Sequence, residues 1–355
     1  FLDPEDPLFA AIQKAFLEEQ TRQFGTDHVY GVDPFNEMVP PSWEPQYLRR
    51  VSRAIYESLA SVDPEAVWLQ MSWLFYHRQD KWTADCIKAL VTGAPPGKML
   101  LLDYYCDNVE LWRRTSSFHG QPYLWCYLGN FGGNTVLAGD FRTTDRRLTD
   151  VMSDPAAGHL SGVGSTLEGM GINPVLHEFV FEKVWQDQPV DLDAWIRSYA
   201  RRRGGAPDAA LEEAWNMLLH RIYREPDLCG RGTLMRTRSA LSPGGSTFCR
   251  TQYAYDNKDL FAIWGKMLEA DHRDRDAWRF DLVNVASQAL ENSLLALHKE
   301  MIAAWKAGDP DAFDRASARF LDCIADVERL SATRSERLLG KWIQEARAFG
   351  VNEAE

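Results

Sequence analysis

Short apolar runs alternate with amphipathic helical patterns between residues 29 and 168, and no other feature of the sequence narrows the possible folds as much. The runs that predict strands cover residues 29–32, 66–73, 99–105, 123–128 and 164–167. Helical patterns lie between them, chiefly over residues 44–61 and 83–91. This βαβα order predicts a parallel sheet with both faces covered by helices, as in a (β/α)₈ barrel of the TIM type.

Beyond residue 173 the strand-like runs stop and only helical patterns remain. These patterns cover residues 174–185, 192–203, 209–223, 259–269, 277–307, 311–330 and 337–349. Loops containing glycine and proline interrupt them at residues 204–207 and 242–245. The sequence therefore predicts an α/β domain over residues 1–173 and an all-α domain over residues 174–355, in keeping with the usual ~100–200 residues per domain.

Charge and cysteine content exclude several classes of function. The chain has 39 basic and 51 acidic residues, a net charge of −12, which argues against a nucleic-acid or anionic-membrane surface. No apolar run approaches the ~20 residues of a membrane span. The six cysteines and eight histidines show no metal-ligand spacing, so we predict neither a metal nor an organic cofactor. We expect buried thiols, with a disulfide between Cys229 and Cys249 as the open alternative.

Two glutamates stand at sharply terminated apolar segments and suggest a catalytic pair. Glu37 follows Asn36 at the end of an apolar approach, and Glu168 lies in a glycine-rich run over residues 162–170. Glycosidic-bond cleavage needs one carboxyl group as acid and another as base or nucleophile. Any single glutamate is more often a helix cap or a partner in a surface ion pair. The neighbours Phe35, Met38 and Trp43 favour the catalytic interpretation of Glu37, since they predict a desolvated carboxyl group.

The last residues of each predicted strand should face one site, because (β/α)₈ enzymes carry their chemistry at the carboxyl ends of the strands. Carboxylates, amides and aromatic faces collect there, the groups that recognise a pyranose: Asn36, Glu37, Trp73, Asp103, Tyr104, Tyr105, Trp125, Asn130 and Glu168. For Asp103, three roles stay open: orienting a substrate hydroxyl, tuning a catalytic carboxyl group, or capping the following helix. The loop over residues 130–134, with two adjacent glycines, either wraps a ligand or forms a plain turn.

These motifs resemble the α-N-acetylglucosaminidases of glycoside hydrolase family 89. The segments that carry the resemblance are FNEMVPP at 35–41, AVWL at 66–69, WLF at 73–75, GQPY at 120–123, WC at 125–126 and NFGGN at 130–134. The resemblance covers nearly the whole chain. It implies a (β/α)₈ barrel followed by a helical domain, and a longer enzyme in which further barrel strands precede this chain and the helical domain continues beyond it.

The resemblance also implies site residues and a substrate class. It assigns Glu37 as acid/base and Glu168 as nucleophile of a retaining mechanism, and it places Trp73, Trp125, Asn130 and Phe131 in or beside the pocket. The implied partner is a glycan with terminal α-linked N-acetylglucosamine, of heparan, mucin or another type. In such a sugar the 2-acetamido group is cis to the leaving group and cannot attack the anomeric carbon from behind. A carboxylate must therefore make the displacement.

Two other interpretations remain open at this stage. One is a noncatalytic truncated fragment or sugar-binding remnant of such an enzyme, and the other is a different (β/α)₈ glycosidase. The resemblance implies secretion or a periplasmic location in bacteria, or a lysosomal location in an animal. The sequence contains no N-x-[ST] glycosylation site, which favours a bacterial source.

Overall fold

The computed structural model of the protein describes residues 2–129, 131, 136–169, 173–225, 232–236, 240–241, 251–270 and 272–352. The chain forms two compact units. The first comprises Phe1–Leu128, Thr143–Glu168 and His177–Pro189, and the second comprises Gly129–Arg142, Gly169–Leu176 and Val190–Glu355. Each unit is therefore assembled from separate stretches of sequence.

Seven strands lie in the described part of the chain. They are β1 (Val29–Gly31), β2 (Val67–Met71), β3 (Met99–Asp103), β4 (Tyr123–Tyr127), β5 (Gly139–Asp140), β6 (Leu160–Ser165) and β7 (Arg224–Glu225). Five of them form a sheet in the first unit, in the order β1-β2-β3-β4-β6, and every pair is parallel. The predicted parallel sheet is confirmed, although β2 ends two residues before Trp73 and β6 begins at Leu160, earlier than predicted.

Helices accompany the sheet in the order expected of a parallel α/β unit. Those of the first unit are α1 (Pro7–Phe24), α2 (Pro45–Ala60), α3 (Trp73–His77), α4 (Ala84–Val91), and most of both α5 (Phe141–Ser153) and α6 (Pro174–Lys183). Sequence reasoning did not predict α1, although its signals are present. Asp6 accepts a hydrogen bond from the Leu8 amide, a proline begins the helix and Gly25 ends it with φ of 75°.

The apolar face of α2 forms part of the core of the first unit. Leu48, Val51, Ile55 and Leu59 are at most 2% exposed and recur at the spacing of one helical face. Burying each such side chain contributes about 1.5–3 kcal/mol before the cost of ordering it. The helix packs against α4, and a Cβ on Gly93, two residues beyond the end of α4, would lie 2.5 Å from that of Ser52. The two helices can approach this closely only because position 93 is glycine.

The second unit is mainly helical. It contains α7 (Leu192–Gly204), α8 (Ala209–Met217), α9 (Asn257–Glu269), α10 (Asp276–Ala307), α11 (Pro310–Ser331) and α12 (Leu339–Phe349), together with a ribbon in which β5 and β7 are antiparallel. The predicted helix over residues 209–223 changes to a π-helical turn at Leu218–Ile222. Both α9 and α11 pack along α10, whose 32 residues make it the central element.

Within the described residues, no helix is both long and apolar enough to pass through a lipid bilayer. Cys86, Cys106, Cys126 and Cys323 are buried free thiols, as expected from the sequence. Cys229 and Cys249, the possible disulfide partners, lie outside the described residues.

Candidate active site

Four strands of the first unit deliver a candidate residue just beyond their carboxyl ends. Glu37 follows β1 by six residues, Trp73 follows β2 by two, Tyr104 directly follows β3, and Glu168 follows β6 by three. Parallel strands bring such positions to one edge of the sheet. Four of the side chains that sequence reasoning expected to converge therefore start from a common edge.

An aromatic pair connects the two glutamates. The indole Nε1 of Trp73 donates a hydrogen bond to Oε1 of Glu37 at 3.0 Å. The hydroxyl of Tyr104 donates to Oε1 of Glu168 at 3.2 Å. The Trp73 and Tyr104 rings lie 5.7 Å apart between centroids and are tilted by 60°. Each carboxylate thus accepts a hydrogen bond from one member of a packed ring pair, which restricts the orientation of both.

The backbone before Glu37 is held in an uncommon conformation. Phe35 has φ of 61°, in the left-handed region that a bulky residue rarely adopts, and its side chain is only 2% exposed. Strain of this kind persists where surrounding packing fixes the residue, and it is concentrated at functional sites. The next residue, Asn36, has a buried Oδ1 for which the described part of the chain offers no hydrogen-bond partner. The turn thus places a hydrogen-bond acceptor, which has no partner among the described residues, beside Glu37.

The candidate catalytic carboxylates themselves are open to solvent. Glu37 and Glu168 are both exposed, and Met38 retains 52% of its accessible surface. Trp43 packs edge-on against Trp82, with ring centroids 5.2 Å apart. The structure therefore does not show the desolvation of Glu37 that its apolar sequence neighbours led us to expect, because Met38 points outward.

Asp103 lies beneath this edge with its carboxyl group turned toward the backbone. It is fully buried, and its oxygens accept hydrogen bonds from the amides of Leu111 and Trp112 at 3.0–3.1 Å. Burial raises the pKa of Asp103 to about 7, against the opposing effect of these amides. Among the three roles considered from the sequence, this geometry corresponds to a cap on the turn that follows β3.

Trp125 is also buried below the edge. Its side chain has no exposed surface, and its Nε1 donates to Oε1 of Glu110 at 2.9 Å. Trp112 donates to the same oxygen at 3.2 Å, and Arg147 lies 3.9 Å from the other oxygen of Glu110. Trp125 thus supports the sheet from inside and presents no open ring face in this structure.

Two further candidates follow β4 in the sequence. Asn130 lies outside the described residues, as does most of its loop, so the prediction for this loop remains a prediction. Phe131 is half-buried and belongs to the second unit.

Asp33 is a titratable residue of this edge that sequence reasoning did not select. It follows β1 by two residues, and its Oδ1 accepts a hydrogen bond from Nε2 of the fully buried Gln70 at 2.6 Å. Burial raises the pKa of Asp33 to about 6, and its charge also acts on Tyr104. Its position directly after a predicted strand was the signal available in the sequence. The Asn36-Glu37 pair that follows shortly after it was the stronger signal.

Across the described ranges, no three histidine, cysteine, aspartate or glutamate side chains come together in an arrangement that would hold a metal ion. What the edge does offer is two carboxylates, each oriented by an aromatic donor. This arrangement suits acid/base or nucleophilic chemistry at a sugar.

Comparison with known proteins agrees with this architecture. Residues 1–187 match the family description "Alpha-N-acetylglucosaminidase (NAGLU) tim-barrel domain", and residues 195–355 match the corresponding C-terminal domain. Human alpha-N-acetylglucosaminidase is 36% identical over 364 residues, covering 100% of this chain and 48% of its own length. The chain therefore spans about half the length of that curated relative.

Solved structures show the same fold. A family 89 glycoside hydrolase from Clostridium perfringens, in complex with 2-acetamido-1,2-dideoxynojirmycin, aligns with a TM-score of 0.87 at 24% identity, over 99% of this chain and 39% of its own. A structure of the Clostridium protein with its substrate GlcNAc-alpha-1,4-galactose aligns with a TM-score of 0.86 over 98% of this chain and 38% of its own. Both family descriptions and the human relative lead to one conclusion: the chain belongs to the α-N-acetylglucosaminidase family.

Proposed function

We propose that this chain carries the catalytic carboxylates of a retaining exo-α-N-acetylglucosaminidase, with Glu168 as nucleophile and Glu37 as acid/base. The observation that carries the proposal is the connection of the two glutamates through the Trp73–Tyr104 ring pair at one edge of the parallel sheet. Family membership supports the substrate class that we propose, a glycan that ends in α-linked N-acetylglucosamine. The expected setting is extracellular or periplasmic in bacteria, or lysosomal in an animal.

The chemistry divides between the two carboxyl groups. In the first step an oxygen of Glu168 bonds to the anomeric carbon from the β face, the glycosidic bond breaks, and Glu37 gives its proton to the leaving oxygen. In the second step Glu37 takes a proton from water, the water oxygen bonds to the anomeric carbon, and Glu168 leaves with its electron pair. Two inversions leave the released sugar as the α-anomer.

The hydrogen bond from Trp73 leaves one oxygen of Glu37 unoccupied by the indole. Nε1 contacts Oε1, so Oε2 is the oxygen on which a transferable proton is expected. The bond also fixes the direction in which the carboxyl group faces. A positioned acid contributes typically ~10²–10⁴-fold to such a reaction, and its effect is largest when the leaving group is a poor one.

The test is hydrolysis of 4-nitrophenyl α-N-acetylglucosaminide by the purified protein, with the first anomer released identified by proton NMR. Release of the α-anomer, with turnover abolished in Glu168→Gln, is the expected result. Glu37→Gln should retain a larger fraction of the rate of the first step with this activated substrate than with an alkyl glycoside. Initial release of the β-anomer, or equal losses for both substrates in Glu37→Gln, would contradict the assigned roles.

Azide separates the two glutamates more sharply. With Glu168→Gly, azide should restore cleavage and give the β-glycosyl azide, because it attacks the face that the nucleophile has vacated. With Glu37→Ala, azide should attack the glycosyl-enzyme and give the α-glycosyl azide. The opposite assignment of products would exchange the roles of the two residues.

A noncatalytic, sugar-binding role is the second candidate, and the solvent exposure of both glutamates favours it. A closed site excludes water and strengthens electrostatic interactions, which an open edge does not do. Binding of N-acetylglucosamine by calorimetry, in a folded sample that hydrolyses no aryl glycoside, would support this second role. Turnover that depends on Glu168 would eliminate it.

A further inference from the structure

Tyr104 contacts the segment that carries Glu168 through more than its hydroxyl group. Thr166, which precedes Glu168 by two residues, donates its hydroxyl to the backbone carbonyl of Tyr104 at 2.6 Å. The Tyr104 hydroxyl donates to Oε1 of Glu168 at 3.2 Å. Two contacts, one to the backbone and one to the side chain, thus link residues that are more than 60 positions apart in sequence.

Residues just beyond β2 also contact Tyr104 and fix its position. Its backbone amide donates to Oγ of Ser72 at 3.1 Å, and the amide of Ser72 donates to the carbonyl of Leu102 at 3.0 Å. Ser72 directly precedes Trp73, whose ring packs on that of Tyr104. The phenol is therefore fixed by the strand end before it, by the strand end that carries Glu168, and by an aromatic neighbour.

The protonation state of the Tyr104 phenol suits a permanent hydrogen-bond donor. Burial raises the pKa of Tyr104 well above its usual value, and the nearby charges of Glu168 and Asp33 raise it further. The hydroxyl therefore keeps its proton throughout the pH range in which glycosidases act. Because Glu168 supplies only acceptors when ionised, the direction of the hydrogen bond is set by chemistry.

We propose that Tyr104 is a positioning residue for Glu168 and that it acts mainly in the second half of the reaction, when the carboxylate leaves the anomeric carbon. This inference rests on the proposed function. In the first step Glu168 loses negative charge as its oxygen bonds to carbon, so a donor to the carboxylate gives little assistance. In the second step the C–O bond breaks, its electron pair returns to Glu168, and the Tyr104 hydroxyl stabilises the charge that appears.

The variant Tyr104→Phe removes the donor and keeps the ring. Losing one hydrogen bond to a charged group should slow breakdown of the glycosyl-enzyme by about 10- to 100-fold. With a 2,4-dinitrophenyl α-glycoside, whose first step is fast, kcat and KM should then fall together while kcat/KM changes by less than about 3-fold. Rapid mixing should show a burst of dinitrophenol approaching one equivalent per protein molecule, and mass spectrometry should find the covalent adduct.

Tyr105→Phe is the matched control. Tyr105 belongs to the same aromatic cluster, with its ring 6.5 Å from that of Trp73. Although its position after β3 led us to expect it at the site, it is buried, and its hydroxyl accepts a hydrogen bond from Asn108 at 2.6 Å. Loss of this hydroxyl perturbs the cluster without removing a donor to Glu168. It should therefore produce no burst beyond that of the unmodified protein and no parallel fall in kcat and KM.

The outcomes distinguish this inference from the proposed function. If the unmodified protein turns over substrate and Glu168→Gln does not, then a fall in kcat/KM without a burst in Tyr104→Phe overturns the role of Tyr104 alone. Unchanged kinetics in Tyr104→Phe do the same. If Glu168→Gln hydrolyses the substrate as well as the unmodified protein, the proposed function is wrong, and the inference about Tyr104 is overturned with it.

Discussion

Replacing Asp103 with asparagine should change how the stability of the protein depends on pH. The carboxyl group is fully buried, and its pKa lies at about 7 in the folded protein against 3.8 for a free side chain. At pH values between these two pKa values, Asp103 keeps its proton in the folded protein and has lost it in the unfolded protein. Stability therefore falls as pH rises from about 4 to 7, and the penalty is complete above the folded-state pKa.

The size of the effect follows from this pKa difference. At about 1.4 kcal/mol per pKa unit, the wild-type carboxyl group loses on the order of 4 kcal/mol of stability across this interval. Asparagine has nearly the same shape and retains an oxygen that can accept from the amide of Leu111 or Trp112, but it does not ionise. The Asp103→Asn variant should thus match the wild type near pH 4 and exceed its stability by up to about 4 kcal/mol near pH 8.

The assay is urea unfolding followed by tryptophan fluorescence at pH 4.5, 6 and 8. The control is Asp150→Asn on the surface of α5, which reports the effect of removing an exposed carboxylate. The quantity of interest is the difference in unfolding free energy between variant and wild type at each pH. A difference that stays constant with pH, or becomes less favourable to asparagine at pH 8, would refute the reasoning. It would show that the backbone amides stabilise the carboxylate more than burial destabilises it.

Three further predictions concern single side chains. Trp73→Phe removes the donor to Glu37 and should lower kcat/KM for an alkyl α-glycoside by about 10-fold, with a smaller loss for a dinitrophenyl glycoside; equal losses would mean that the indole does not act through this carboxyl group. Gly93→Ala should destabilise the protein by about 1–3 kcal/mol in urea unfolding, because the added Cβ would lie 2.5 Å from Ser52, and an unchanged midpoint would show that α2 and α4 can separate without cost. Lys183→Met should cost about 3 kcal/mol, since the buried ammonium donates to two backbone carbonyls at 2.8 Å; near-wild-type stability would show that water replaces it.

Several features of the fold could be predicted from sequence because their causes are local. The apolar runs at residues 99–105 and 123–128 correspond to β3 and β4, and the long helical pattern at 277–307 corresponds to α10. Alternation of short apolar runs and helical patterns depends only on neighbouring residues, and it was enough to predict the parallel sheet. The position of Glu37 beyond a strand end was predictable for the same reason.

Contacts between distant residues were decided by packing alone. The sequence left capping by Asp103 as one of three alternatives, and nothing in it indicates that the amides lie eight and nine residues later or that Trp125 donates to Glu110. Tyr104 and Glu168 are 64 positions apart, and the sequence likewise gives no local sign of their hydrogen bond. Residue type and periodicity thus determined which side chains reach the carboxyl edge of the sheet. Only the tertiary structure decided which of them stay exposed there and which are buried below, because burial and hydrogen bonding depend on elements brought together from distant parts of the chain.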